Sequence, residues 1–268
     1  MKKIIAVIFA FALLFCSCKE VENPPKAEDV AELRDAISAT NNESSVSGKY
    51  MLEITFGDST VLYYALGNVA WDVEKGVSSV LFDETYLGDS SVRANYFAEN
   101  KLISVDDGEV LTLERDAETL FSKFPYAKLP EYSEEHGGIN KNNSANGKTF
   151  TVKRTDTKEL LDTVVGNDIY TIATVIKKPQ PEKTQYSDTE CIYTVSDGKV
   201  VGCRYEFDVK LFDTPAYIPG GYSVPESEYT LDLHVVAKVT YEKFGSDVTV
   251  SEYSETSETS DVSETSKN

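Results

Sequence analysis

The chain has 268 residues, with 45 acidic against 26 basic side chains and a formal charge of −19. Such an excess of carboxylates excludes the clustered Lys and Arg that nucleic acid or anionic lipid head groups require, so no nucleic-acid partner is expected. Four cysteines and two histidines (His136 and His234) are too few and too scattered for a zinc site. Phosphate-binding glycine loops, nucleophile elbows and EF-hand loops are also missing. No metal, no cofactor and no catalytic residue is therefore expected.

The first element is Met1-Lys2-Lys3, followed by an uncharged apolar run from Ile4 to Phe15 and then Cys16-Ser17-Cys18. A basic start, a dozen apolar residues and a small residue before the cut form a secretory signal. The run is too short for a membrane span, which needs roughly 20 apolar residues. A cysteine directly after a small residue resembles the lipobox of bacterial lipoproteins, although Phe15 stands where that family usually has Leu. The resemblance implies cleavage after Ser17 and acylation of Cys18, not Cys16, with the protein held outside the cytoplasm on a bacterial membrane. Residues 1–17 are then the signal peptide and 18–26 a charged, proline-containing tether.

Residues 27–250 form the envelope domain. A helix capped by Asn23 and entered through Pro24 and Pro25 should bury Val30, Leu33 and Ile37 and end near 40–42. Alternation predicts strands at 49–56, 61–73, 79–87, 92–98, 102–105 and 110–114, with a hairpin turn at Asp107-Gly108. Asp116 caps a second helix carrying Leu120, Phe121 and Phe124. Residues 131–148 are polar and read as a loop, a candidate seam between two halves, with His136 an exposed loop residue. A short strand at 149–153 precedes a helix opened by Asp156 and Glu159 in a capping-box pattern, with Leu160, Leu161, Val164 and Val165 inward and Gly166 as stop. Strands follow at 169–177, 186–195, 199–212 and 228–243.

The last two strands alternate strictly. Tyr205, Phe207, Val209 and Leu211, then Leu231, Leu233, Val235, Ala237, Val239 and Tyr241, oppose charged neighbours, which signals an antiparallel sheet with one buried face. His234 falls on the wet face. Cys191 and Cys203 flank Ser196-Asp197-Gly198. A three-residue loop there sets the cysteines directly opposite, within disulfide range; a two-residue Asp197-Gly198 loop sets them on opposite faces. A Cys191–Cys203 bridge across the hairpin is expected; its alternative is a pair of buried thiols. Residues 251–268 repeat Ser, Glu and Thr, offer no apolar face and should be disordered.

This order of elements, with the anchor, resembles the LolA/LppX-like lipoprotein-carrier fold. The resemblance implies an α+β fold: a curved, half-barrel-like antiparallel sheet packed against a few short helices, with an apolar gap between them. The function expected is non-enzymatic binding of an apolar ligand, lipid included, against the inner wall of the last strand, with Leu233, Val235 and Val239 as ligand contacts. An anchored interaction module contacting another envelope protein or polysaccharide is the alternative, and an envelope hydrolase the third.

Overall fold

The computed structural model describes residues 26–57, 60–116, 128–132, 138–144, 147–165, 169–173, 176–215, 225, 227 and 229–254. The signal, Cys18 and its tether, Asn23, the helix expected after Asp116 and His136 lie outside these residues. Among these residues the fold is mostly β: twelve strands join one sheet, against two helices of more than a single turn. This corrects the expected α+β balance. Among the described residues no helix is long and apolar enough to cross a membrane.

Helix α1 spans Ala27–Asn41 and buries Val30, Leu33, Ala36, Ile37 and Thr40 at helical spacing. Glu28 and Asp29 in its first turn suit the positive end of the helix dipole. Six strands follow as a meander: β1 (Ser45–Phe56), β2 (Thr60–Asp72), β3 (Val77–Tyr86), β4 (Asp89–Ala98), β5 (Lys101–Asp106) and β6 (Glu109–Glu114). Each is antiparallel to the next. Asp107 and Gly108 both have positive φ (46° and 86°), the turn geometry that matches strand twist in a two-residue hairpin.

The polar stretch expected to be a loop contains strand β7 (Ile139–Ser144), which pairs with β8 (Gly147–Arg154). Its backbone finds partners on β8 although its sequence has no alternation. Helix α2 (Thr157–Val165) comes next and buries Leu160, Leu161 and Val165. The strand expected from Ile169 is instead one helical turn, α3 (Ile169–Ile172), with Ile169 and Ile172 buried. A short apolar run of this kind suits either state, and here packing decides.

Strands β9 (Gln185–Tyr186), β10 (Thr189–Ser196), β11 (Lys199–Phe212) and β12 (Thr230–Phe244) complete the sheet. Its order is β6-β5-β4-β3-β2-β1-β12-β11-β10-β8-β7, with β9 on β11 below the end of β10. The meander and the C-terminal strands are thus joined by β1 against β12. The strict alternation of β11 and β12 holds: Tyr205, Phe207, Val209, Leu211, Leu233, Val235, Ala237, Val239 and Tyr241 are all buried on one face, here termed inner.

That inner face carries the helices. Thr40 anchors α1, its hydroxyl accepting from the Val200 amide at 2.8 Å. Asn41 clamps Leu129, donating to its carbonyl (2.9 Å) and accepting from its amide (2.8 Å). Glu32 reaches Lys141 and Lys148 at β7 and β8. Arg154, buried, forms a two-point pair with Asp156 (2.9 and 2.6 Å) and donates to the Glu131 carbonyl. Asp156 therefore serves Arg154 at the entry to α2.

The β10–β11 hairpin corrects the expected register. Its loop is the two residues Asp197-Gly198, at φ 51° and 75°, with Ser196 opposite Lys199. A bulge near Val201 then restores parity, so Tyr193 faces Cys203 and Cys191 faces Tyr205. Both cysteines stay on the inner face as buried free thiols on a diagonal, farther apart than a directly opposed pair. The C-terminal segment also departs from expectation. Ser251 donates its amide to Ser79 Oγ (3.1 Å) and the Tyr253 ring lies 5.8 Å from Tyr96. Residues 251–254 therefore dock on β3 and β4; residues 255–268 lie outside the described chain.

Candidate functional site

The inner face is not filled evenly. Across β10, β11, β12 and β1, it is closed by α1, α2, α3 and their neighbours. Leu233, Val235 and Val239 lie there at 2 %, 0 % and 1 % exposure, in the packed core. Leu233 faces Phe56 and Val209, Val235 faces Ile54 and Phe207, and Val239 faces Tyr50 and Cys203. Toward β6 the same face opens. One row of directly opposed residues runs Val46, Trp71, Ser78, Phe97, Leu102, Leu113. Its first four members are buried and its last two half-buried, and Leu111 in the next row is 56 % exposed.

Aromatic packing sets the start of this open stretch. Tyr50 and Phe82 meet at 5.8 Å across β2, where Gly67 stands opposite both. A Cβ on Gly67 would sit 2.1 Å from the Leu81 carbonyl oxygen and 2.2 Å from Phe82, so the close approach requires glycine. Trp71 and Tyr241 pack edge to face at 6.3 Å.

A polar cluster stands beside the apolar row. Arg93 on β4 lies opposite Phe82 and Asp106. Its Nη2 donates to Glu84 Oε1, and Tyr63 donates its hydroxyl to the same oxygen at 2.7 Å. Burial, reinforced by the bond to Glu84, pushes the Tyr63 phenol above its ordinary range, so it stays a neutral donor. Arg93 Nε is buried and has no hydrogen-bond partner among the described residues. A buried donor left unmade costs free energy that a ligand oxygen would recover. The arrangement is therefore an apolar surface with one convergent polar group, the usual make-up of a small-molecule site.

None of these three polar residues stood out in the sequence. Its only signal was parity on β3, where Glu84 falls in line with Val80, Phe82 and Tyr86; on β4 Arg93 lies on the opposite parity to Val92, Ala94 and Tyr96, and only the register turns it inward.

On the opposite, outer face, His234 Nδ1 lies 2.8 Å from Asp208 and Nε2 lies 3.3 Å from Glu206. A groove of about 580 Å³ passes this histidine and Ser187. The Ser187 hydroxyl donates to the Asp188 carbonyl and accepts from the Asp208 amide. Both histidine nitrogens face carboxylates, so the arrangement does not activate a serine nucleophile. Among the described residues no group of three or more His, Cys, Asp and Glu could hold a metal ion.

No family model and no curated protein matches the sequence. Similarity to solved structures is distant. LprF from Mycobacterium bovis is 9 % identical with a TM-score of 0.42, covering 86 % of this chain and 99 % of that one. The dehydratase domain from the CurJ module of curacin polyketide synthase is 13 % identical with a TM-score of 0.13, covering 82 % and 83 %. At these scores neither similarity fixes the fold or the function.

Proposed function

We propose that this chain is a lipid-anchored, extracytoplasmic, non-enzymatic protein that holds an amphiphilic ligand against the inner face of β2–β6. The observation that carries the reading is the continuous inner face that is packed at β12 and opens toward Leu102 and Leu113, beside a buried Arg93 Nε without a partner among the described residues. The apolar part of the ligand lies along Phe97, Leu102 and Leu113, and an ester or carboxyl oxygen accepts from Arg93. Leu233, Val235 and Val239 form the closed end of the same face. Acylation of Cys18, supported by the lipobox resemblance, holds the protein at the membrane, where two acyl chains give stable attachment.

Titration with a fluorescent fatty acid tests this. Saturable binding is expected, weakened about tenfold in Leu102→Asp and about tenfold or more in Arg93→Gln, the latter the cost of one charge-assisted hydrogen bond. Absence of binding at tens of micromolar probe, or equal binding by both variants while they remain folded, would reject the reading.

A further inference from the structure

The outer face of the meander carries a second apolar surface. The eight exposed large hydrophobic side chains among the described residues all lie between Val61 and Leu111. Four of them, Leu66, Leu81, Val92 and Val110, share the outer face by parity. Leu81, Ala94, Val105 and Val110 stand directly opposite one another across β3, β4, β5 and β6. Val92 and Leu66 flank this ladder, and a depression of about 330 Å³ lies over Val92, Ala94 and Val105. The outer face of β11 and β12 is different, with Arg204 paired to Glu206 and His234 set between Glu206 and Asp208.

Two further observations identify the kind of occupant. The chain's own extended segment already docks on this face. Ser251 and Tyr253 cover Ser79 and Tyr96, the row beside Leu81 and Ala94, and leave Leu81 and Val110 at the two ends of the ladder 47 % and 46 % exposed. Second, the ladder ends at two exposed carboxylates. Asp83 is opposite Val92, and Asp107 exchanges hydrogen bonds with the Val92 backbone. Neither is paired with a cation among the described residues. A second copy would set like charges against Asp83 and Asp107, each copy carrying a formal −19. Residues 255–268 offer one aliphatic side chain, Val262, among four acidic ones. Anionic lipid is repelled by the same rim.

We propose that this face docks a basic, amphipathic segment of a partner protein, with aliphatic side chains on the Leu81–Val110 ladder and Lys or Arg on Asp83 and Asp107. The test is fluorescence anisotropy of the full chain with a labelled Leu/Lys amphipathic peptide. A Gly/Lys peptide of equal charge and a Leu/Glu peptide of equal apolarity serve as comparisons. Saturable binding at least about tenfold tighter than either comparison is expected from joint apolar and charge complementarity. Leu81→Ser with Val92→Ser should weaken it about tenfold. Asp83→Asn with Asp107→Asn should weaken it severalfold and flatten its salt dependence. Arg93→Gln, on the inner face, should leave it unchanged, which separates this surface from the proposed ligand trough. These outer positions are exposed, so the variants should unfold at the wild-type temperature. Equal binding of the Gly/Lys peptide, or no loss in the Leu81/Val92 variant, would overturn the proposal. So would a dimer, or binding to phosphatidylcholine vesicles, abolished by that same variant, since each assigns the face to another occupant. Leu/Lys binding seen only after removal of residues 255–268 would assign it to the chain's own tail.

Discussion

At the residue scale, Cys191 and Cys203 show how one bulge decides chemistry. With an unbulged two-residue loop, Cys191 would face Arg204 and the cysteines would part to opposite faces. The bulge near Val201 returns both to the inner face, diagonal to one another. There burial pushes the Cys191 thiol up to about 12, and pushes Cys203 up as well. Both groups therefore stay protonated thiols in ordinary buffers, and neither sulfur is exposed. In a Cys16→Ser/Cys18→Ser chain, a thiol reagent should therefore label neither cysteine natively and both after unfolding without reductant. Failure to label the unfolded chain would show a bridge.

At the scale of elements, the C-terminal segment behaves as a strap. After β12 the chain crosses to β3 and β4, where a backbone hydrogen bond to Ser79 and the Tyr96–Tyr253 pair hold it. One such bond and one aromatic pair together stabilise by about 1–3 kcal/mol. Removing residues 248–268 should lower Tm by roughly 3–8 °C for a domain of this size, whereas removing only 255–268 should leave it unchanged. Thermal unfolding of the two truncations decides it, and an equal Tm for both would show that the strap contributes nothing.

For the whole molecule, the far edge of the sheet is tied to the N-terminal helix through charge. Glu32 on α1 reaches Lys141 on β7 and Lys148 on β8, and Lys141 also pairs with Asp29 at 3.1 Å. The hydrogen bond from Lys141, then that from Lys148, hold the Glu32 carboxyl below its ordinary value of 4.5. A carboxylate depressed on folding stabilises fully above its unfolded value, and that stability is lost as pH falls through the folded value. Glu32→Gln should lower Tm by roughly 1–3 °C at pH 7, the modest scale of a partly exposed ion pair. The difference should be salt-sensitive, and should close once the pH lies below the folded value. A gap that persists unchanged in strong acid would mean that packing, not charge, carries the effect of Glu32.

Local pattern determined much of the fold without any tertiary knowledge. The alternation of β11 and β12, the apolar stripe of α1 and the Asp107-Gly108 turn each depend on near neighbours in the chain, so the sequence alone was sufficient for them. The strand β7 was not legible, because its edge position demands backbone pairing and only Ile139 of its side chains supplies apolar signal. The helical state of Ile169–Ile172 and the bulge near Val201 were likewise settled by packing against distant partners. Most of all, the pairing of β1 with β12 spans the length of the domain and has no local signature. The same holds for the site: Tyr63, Glu84 and Arg93 come from three strands, and only the register of the folded sheet makes them neighbours.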